Sequence, residues 1–309
     1  MAMRVLLVAA GLLLVAALGG LVFLGRADSE GERAGPELAE AGQPQRIVSL
    51  SPSATEILFA LGLGDRVVGV SRYCRYPAEA RSKAQVGGYL DPSYEAIVAL
   101  RPDLVVLRGG NPKFVNSFRE LGLNLLEVNH DSVEGILDSM IELGRRGGAE
   151  ERARRLVDDL QAQMHRITQQ TARLPRPRVI VVVERTLGAG KIQNVYVTGS
   201  NSFMNRMILL AGGKNACGDV SVGFPVVSGE GIIRMNPEVI IDLVARDLRG
   251  GLSADEILSD WRQLPEVEAV KSGRVHLVDD DFAFIPGPRF VQLVEKLAGL
   301  FHPELKRQP

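Results

Sequence analysis

The chain has 309 residues, 46% of them apolar and 24% charged, with a formal net charge of −1. That length exceeds what a single hydrophobic core supports, so two packed units are expected. A near-neutral balance excludes a dedicated nucleic-acid binder, which carries a basic excess, and the lack of any long biased tract excludes a disordered chain.

After Arg4 come 21 uncharged residues, Val5 to Gly25. The run is long enough for a membrane-spanning helix of about 20 residues and exceeds the roughly 7–15 residues of a signal-peptide core. Residues 1–27 therefore read as a membrane anchor or a signal peptide, with Gly25 and Ala27 at the offsets of a small-residue cleavage site. No cysteine lies in this segment to carry a lipid. Both readings export the body to a periplasmic or extracytoplasmic location. Residues 28–44, polar with Gly and Pro, read as a flexible tether.

Residues 45–145 read as an α/β lobe. "RIVSL" (46–50) is a short strand, and "SATE" (53–56) has the form of a capping box, Ser53 answering Glu56. The helix it opens stops at "GLG" (62–64). "RVVGV" (66–70), "DLVVL" (103–107) and "NLLEV" (124–128) are further strands. The helix before Pro102 is expected to start with Asp91 as cap and Pro92 in its first position. Near-continuous apolar strands alternating with helices suit a mostly parallel sheet covered on both faces.

From Ala149 to Arg173 the apolar residues Ala153, Leu156, Val157, Leu160, Met164 and Ile167 recur at helical spacing. This predicts a long interlobe helix within 146–174. Beyond it, over 175–309, the pattern restarts: "RVIVVV" (178–183) mirrors "RIVSL". "EGIIRMNPEVIIDL" (230–243) mirrors "EAIVALRPDLVVL" (95–107). In both copies a glutamate stands seven residues before a proline (Glu95 and Pro102, Glu230 and Pro237). "GRVHLV" (273–278) and the amphipathic "RFVQLVEKLAGLFHPE" (289–304) close a second lobe.

Catalytic and cofactor motifs are missing. "GLGDRV" lacks the third glycine of a dinucleotide loop, "GAGKIQ" (188–193) has the wrong spacing for a phosphate loop, and no Gly-x-Ser-x-Gly occurs. His130, His165, His276 and His302 are scattered and read as structural or surface residues. "DDD" (279–281) reads as a solvated loop. No catalytic residue, metal site or cofactor is therefore expected. Cys74 and Cys217 lack metal-type spacing; they are a candidate disulfide in an oxidising compartment, although two separate thiols are preferred.

What remains is a crevice between two α/β lobes, where such sheets place ligands beyond their strand ends. The candidate ligand contacts follow the strands: Ser51, Tyr73, Tyr89 and Arg108 from the first lobe, and Arg185, Phe224, Phe282, Phe284 and Arg289 from the second. Aromatic rings can lie against a flat ligand, and arginines can grip its anionic oxygens.

The order "RIVSLSPSATEILFALG", "VVGVSRYCRYP", "VGGYLDPSYEAIVALRPDLVV", long helix, "WRQLPEVEAVKSGRVHLVDDD" and "PGPRFVQLVEKLAGLFHPE" resembles the helical-backbone (class III) periplasmic binding proteins. These are the extracytoplasmic receptors of ABC importers for cobalamin, ferric siderophores and haem, and the resemblance runs from about Arg46 to Glu304. It implies two Rossmann-like lobes joined by one rigid helix, a ligand cleft between them, and a monomer working with a transmembrane permease. By the same resemblance, Glu95 and Glu230 fall where cobalamin-binding members dock onto permease arginines. Tyr89, Phe224 and Leu107 fall where the cobalamin receptor presents tryptophans. The ligand is expected to be a small-molecule metal chelate, a ferric siderophore or cobalamin, and the arginine-rich loops favour the anionic iron chelate. The competing expectation is an enzyme or electron-transfer component holding a metallocofactor on the same fold.

Overall fold

The computed structural model describes residues 42–110 and 112–307. The expected anchor or signal segment, most of the tether, and Asn111 lie outside the described residues.

The first lobe is built on a five-stranded sheet in the order β3-β2-β1-β4-β5. Its strands are β1 (Ile47–Ser49), β2 (Val67–Val70), β3 (Ala84–Gln85), β4 (Leu104–Arg108) and β5 (Leu125–Val128), and every pairing is parallel. Helices α1 (Pro52–Ala60), α2 (Tyr94–Ala99), α3 (Pro112–Glu120) and α4 (Val133–Gly147) connect and cover them. Gly148, at φ 70°, ends α4 in the left-handed conformation that glycine adopts without penalty. The chain then turns into α5 (Glu150–Thr171), whose 22 residues span about 33 Å.

The second sheet runs β11-β10-β6-β7-β9, with β8 also beside β6. Its strands are β6 (Arg178–Glu184), β7 (Val195–Val197), β8 (Lys214–Asn215), β9 (Val226–Val227), β10 (Val239–Leu243) and β11 (Val275–Val278). Helices α6 (Phe203–Leu210), α7 (Gly229–Met235), α8 (Ala254–Ser259), α9 (Glu268–Lys271) and α10 (Phe290–Phe301) complete the lobe. Here the sheet is mixed, because β7 runs antiparallel to both β6 and β9. The 185–194 loop is too short for the crossover of a dozen or more residues that a parallel partner needs.

The repeated sequence builds the same joint twice. In each lobe the first strand lies parallel to the strand after the proline, with Ile47 opposite Leu104 and Val179 opposite Val239. The acidic residue after the proline braces the start of the first strand. Asp103 accepts from the backbone N–H groups of Gln45 and Arg46 (2.7 and 2.9 Å), and Glu238 accepts from that of Arg178 (2.8 Å). The arginine at that start in turn donates to the carbonyls ending the repeated helix, Arg46 to Leu100 and Arg178 to Asn236. Arg101 and Asn236, just before the prolines, both take positive φ (46° and 40°), breaking the helix into the strand.

Two helix starts differ from the sequence expectation. The first helix begins at Pro52 with Ser51 as N-cap, so Ser53 and Glu56 form no capping box; Ser53 bonds His130 and Glu56 bonds Arg289 instead. Helix α2 begins at Tyr94, and Ser93 caps it by accepting from the Ala96 N–H. Asp91 is drawn off to Arg72 at 2.5 Å. In the second lobe Ser228 caps α7 in the same way, so the repeat extends back to the serine two residues before each glutamate.

Alternation along the strands divides the apolar core into three layers. Ile47, Leu104, Val106, Val179, Val181 and Ile241 join one continuous core that passes through Ala153, Leu160 and Ile167 of α5. Val48, Val105 and Leu107 face a separate layer with Phe118, while Ile180, Val182 and Ile240 face another with Trp261. The connecting helix is thus packed into the interior of both lobes.

Candidate functional site

A helix that precedes a parallel strand runs back along the sheet, so the C-terminal strand ends of each lobe carry that lobe's variable loops. In the first lobe these are the starts of α1 and of the 71–77, 86–93 and 129–132 segments. In the second they include the residues after β10 and β11. The two sets meet. Arg289 of the second lobe donates to Glu56 of the first through two bonds (3.0 and 2.5 Å), and Arg75 pairs with Asp247 at 2.5 Å.

Ser51 is buried at the start of α1, its Oγ 2.7 Å from Ser53 Oγ, which lies 2.6 Å from His130 Nδ1. His130 is only 1% exposed, and burial, together with the nearby Arg108 charge, lowers its pKa to about 4. The imidazole is therefore neutral and serves as a hydrogen-bonding prop. Arg108, at the end of β4, is ion-paired with Asp131. Tyr89 is half-buried beside it and packs edge-on against Phe114, with ring centroids 6.1 Å apart. Burial pushes the Tyr89 phenol above its usual range, with Arg108 opposing. Together Tyr89, Arg108 and Phe114 line a recess with Leu50, Pro92, Leu107 and Phe118. Leu107 is 2% exposed, so it serves the core. Tyr73 is 41% exposed, with the Arg72 guanidinium 5.9 Å from its ring centre.

Four of the second-lobe candidates have other commitments. Arg185 is buried away from solvent, donating to Asp242, Asp260 and the Ile257 carbonyl, with its guanidinium 5.4 Å from the Trp261 ring centre. Its side chain is 1% exposed. The expectation of Arg185 as a ligand contact is therefore corrected: an arginine with two buried carboxylates is a structural centre, and Trp261 Nε1 donates to the same Asp242. Arg289 is likewise corrected, since Glu56 and Asp281 engage its guanidinium and the Tyr76 ring lies 3.7 Å from it. Phe282 and Phe284 are half-buried and pack on the continuous core. Phe224 is half-buried in the loop before β9.

"DDD" is an ion-pair hub. Asp279 accepts from Arg246 and Arg249, Asp280 from Lys296, and Asp281 from Arg289. Cys74 and Cys217 are both free and buried, in different core layers, so the candidate disulfide is not formed. Cys74 Sγ is held by Thr55 and Ser71 hydroxyls at 3.1 and 3.2 Å, and burial raises the pKa of both thiols.

Glu95 and Glu230 are both exposed and occupy the second position of α2 and α7. Neither has an ion-pair partner among the described residues. Sequence reasoning missed Glu56, Asp131 and the two partners of Arg185. Each pairs across 23 or more positions of chain, and only Trp261 beside Asp260 was a local signal.

Residues 47–282 match the model of a family described as periplasmic binding protein. An uncharacterized ABC transporter substrate-binding lipoprotein of Bacillus subtilis, YvrC, is 32% identical over 267 residues, 85% of this chain and 81% of that protein. Among solved structures, the periplasmic haem-binding protein RhuT of Roseiflexus sp. RS-1 aligns with a TM-score of 0.72 at 27% identity, covering 84% of this chain and 98% of that one. The periplasmic vitamin B12 binding protein BtuF of Vibrio cholerae aligns at 0.71 and 25%, covering 85% and 99%. With two α/β lobes, a helix packed into both, and a family match over most of its length, the chain belongs to the periplasmic binding protein family and is the substrate-binding protein of an ABC transporter.

Proposed function

We propose that the cleft captures a cobalt corrinoid in preference to an anionic ferric chelate or a haem, and delivers it to a membrane permease. The observation that carries this choice is the pairing of the arginines. Arg72 faces Asp91, Arg108 faces Asp131, and Arg289 faces Glu56 and Asp281. A guanidinium already matched by a carboxylate projects little net field towards a catecholate or a propionate. The anionic chelate favoured by counting arginines therefore loses its main support. What the loops offer beyond those pairs is aromatic: Tyr73, Tyr89 and Phe224. Such surfaces suit a large ligand of low net charge, and the likeness to the Vibrio vitamin B12 protein is in keeping with it.

The test mixes the chain with cyanocobalamin, a ferric tris-catecholate and haem, and records the visible spectrum of the protein peak after gel filtration. Retention of cyanocobalamin at one-to-one stoichiometry is the expected result. Retention of the iron chelate or of haem instead overturns the ligand choice and leaves the transport role standing.

Glu95 and Glu230 are proposed as the permease-docking pair, one from each lobe. Val5–Gly25 is proposed to export the body, either as an uncleaved anchor or as a cleaved signal peptide. No catalytic role is assigned to any residue. Both thiols and His130 are buried, and burial shifts each towards its neutral form.

A further inference from the structure

Among the described residues, the lobes meet through two ion pairs of unlike character. Arg75 and Asp247 are 58% and 63% exposed, and a pair so open to water contributes little. The Arg289 and Glu56 side chains are 11% and 2% exposed. Around them the contact is close on every side. Asp281 takes two further guanidinium bonds at 2.9 and 3.1 Å, and Tyr76 of the first lobe stacks on the guanidinium. The backbone of Gly287 presses against α1, where an added Cβ would lie 3.1 Å from Glu56 Oε2 and 3.4 Å from Ser53 Cα. An added methyl group there would require the Glu56 carboxylate to give by a few tenths of an ångström.

We infer that Arg289, seated between Glu56 and Tyr76 of one lobe and Asp281 of the other, is an interlobe clasp that sets the width of the cleft. The lobe spacing is then held by contact between the lobes, with the packed α5 as its axis. The asymmetry of the cluster makes the idea specific. Removing Arg289 leaves the Glu56 carboxylate buried and unmatched, and hydrating it requires the 286–288 loop to lift off α1. Removing the Glu56 charge instead leaves Arg289 satisfied by Asp281, and the lobes stay closer.

The test is a spin-label distance measurement at pH 8, with labels on Val98→Cys and Ile233→Cys. Those positions are 45% and 37% exposed, one in each lobe, and both native cysteines are buried. Arg289→Met is expected to shift the interlobe distance to a longer and broader distribution, Glu56→Gln to shift it less, and the double variant no further than Glu56→Gln. A residue that only supports the fold would lower the melting temperature without moving the distance. An Arg289→Met distribution that superimposes on the parent, or a larger shift in Glu56→Gln, overturns the clasp. Should Arg289→Met fail to fold, Glu56→Gln decides: a longer distance supports the clasp and an unchanged one overturns it.

Discussion

His130 illustrates how a residue's meaning depends on what surrounds it. From sequence it is one of four scattered histidines. In the fold it props Ser53 at the start of α1 and stays neutral because burial holds its pKa at about 4. The unfolded chain takes up that proton near the usual value of about 6.5. His130 therefore leaves stability undiminished above about pH 6.5 and lowers it progressively as pH falls towards 4. Between pH 7 and pH 5 the loss is about 2 kcal/mol. Urea unfolding at those two pH values should register it, and His130→Gln should flatten the dependence. An equal slope in the variant would assign the effect to other groups. The arginines carry the same lesson. Nothing local in "ERTLG" distinguishes Arg185, held by two buried aspartates, from an arginine that faces a ligand.

At the scale of elements, helical periodicity read the long helix well, because 22 residues with a consistent apolar stripe leave little ambiguity. The short strands β3, β7, β8 and β9, two or three residues each, were not legible, since they exist only by pairing with a neighbour. Helix starts slipped for a related reason: Ser53, Glu56 and Asp91 all have capping chemistry, but distant partners claimed them. The α4–α5 seam offers a prediction that propensity alone reverses. Alanine in place of a helical glycine ordinarily stabilises by about 1 kcal/mol. At Gly144 the new Cβ would stand 2.4 Å from Ala153 Cβ and 3.2 Å from the Ala149 carbonyl oxygen. Gly144→Ala is therefore expected to destabilise by roughly 1–3 kcal/mol in thermal or urea unfolding; a stabilised variant would mean the seam can part.

For the whole molecule, the duplicated joint has a geometric consequence. Both repeated helices precede a parallel strand, so α2 and α7 each carry an exposed glutamate at the end of the helix nearest its lobe's strand C-termini. A helix start explains each acid singly, at about 0.3–1 kcal/mol from the macrodipole. It does not explain the same register in both lobes, which docking onto a permease would. Glu95→Lys combined with Glu230→Lys is expected to abolish uptake in cells while leaving ligand retention by the purified chain intact. If ligand retention disappears with uptake, the glutamates belong to the cleft or to the fold and the docking role fails.

Sequence alone was sufficient for the α/β class, the two lobes, the long helix and the family likeness. Those properties reside in periodicity and in ordered motifs, which are local or repeat along the chain. Tertiary structure alone decided which charges were available. Arg185 with Asp260, Arg289 with Glu56, and Arg108 with Asp131 are separated by 75, 233 and 23 positions. A charge is cancelled by whatever the fold brings within a few ångströms of it, and the strength of that pairing follows from burial. Neither quantity is written in the neighbourhood of the residue, so the pairing of Arg108, Arg185 and Arg289 emerges only once the fold brings their partners alongside.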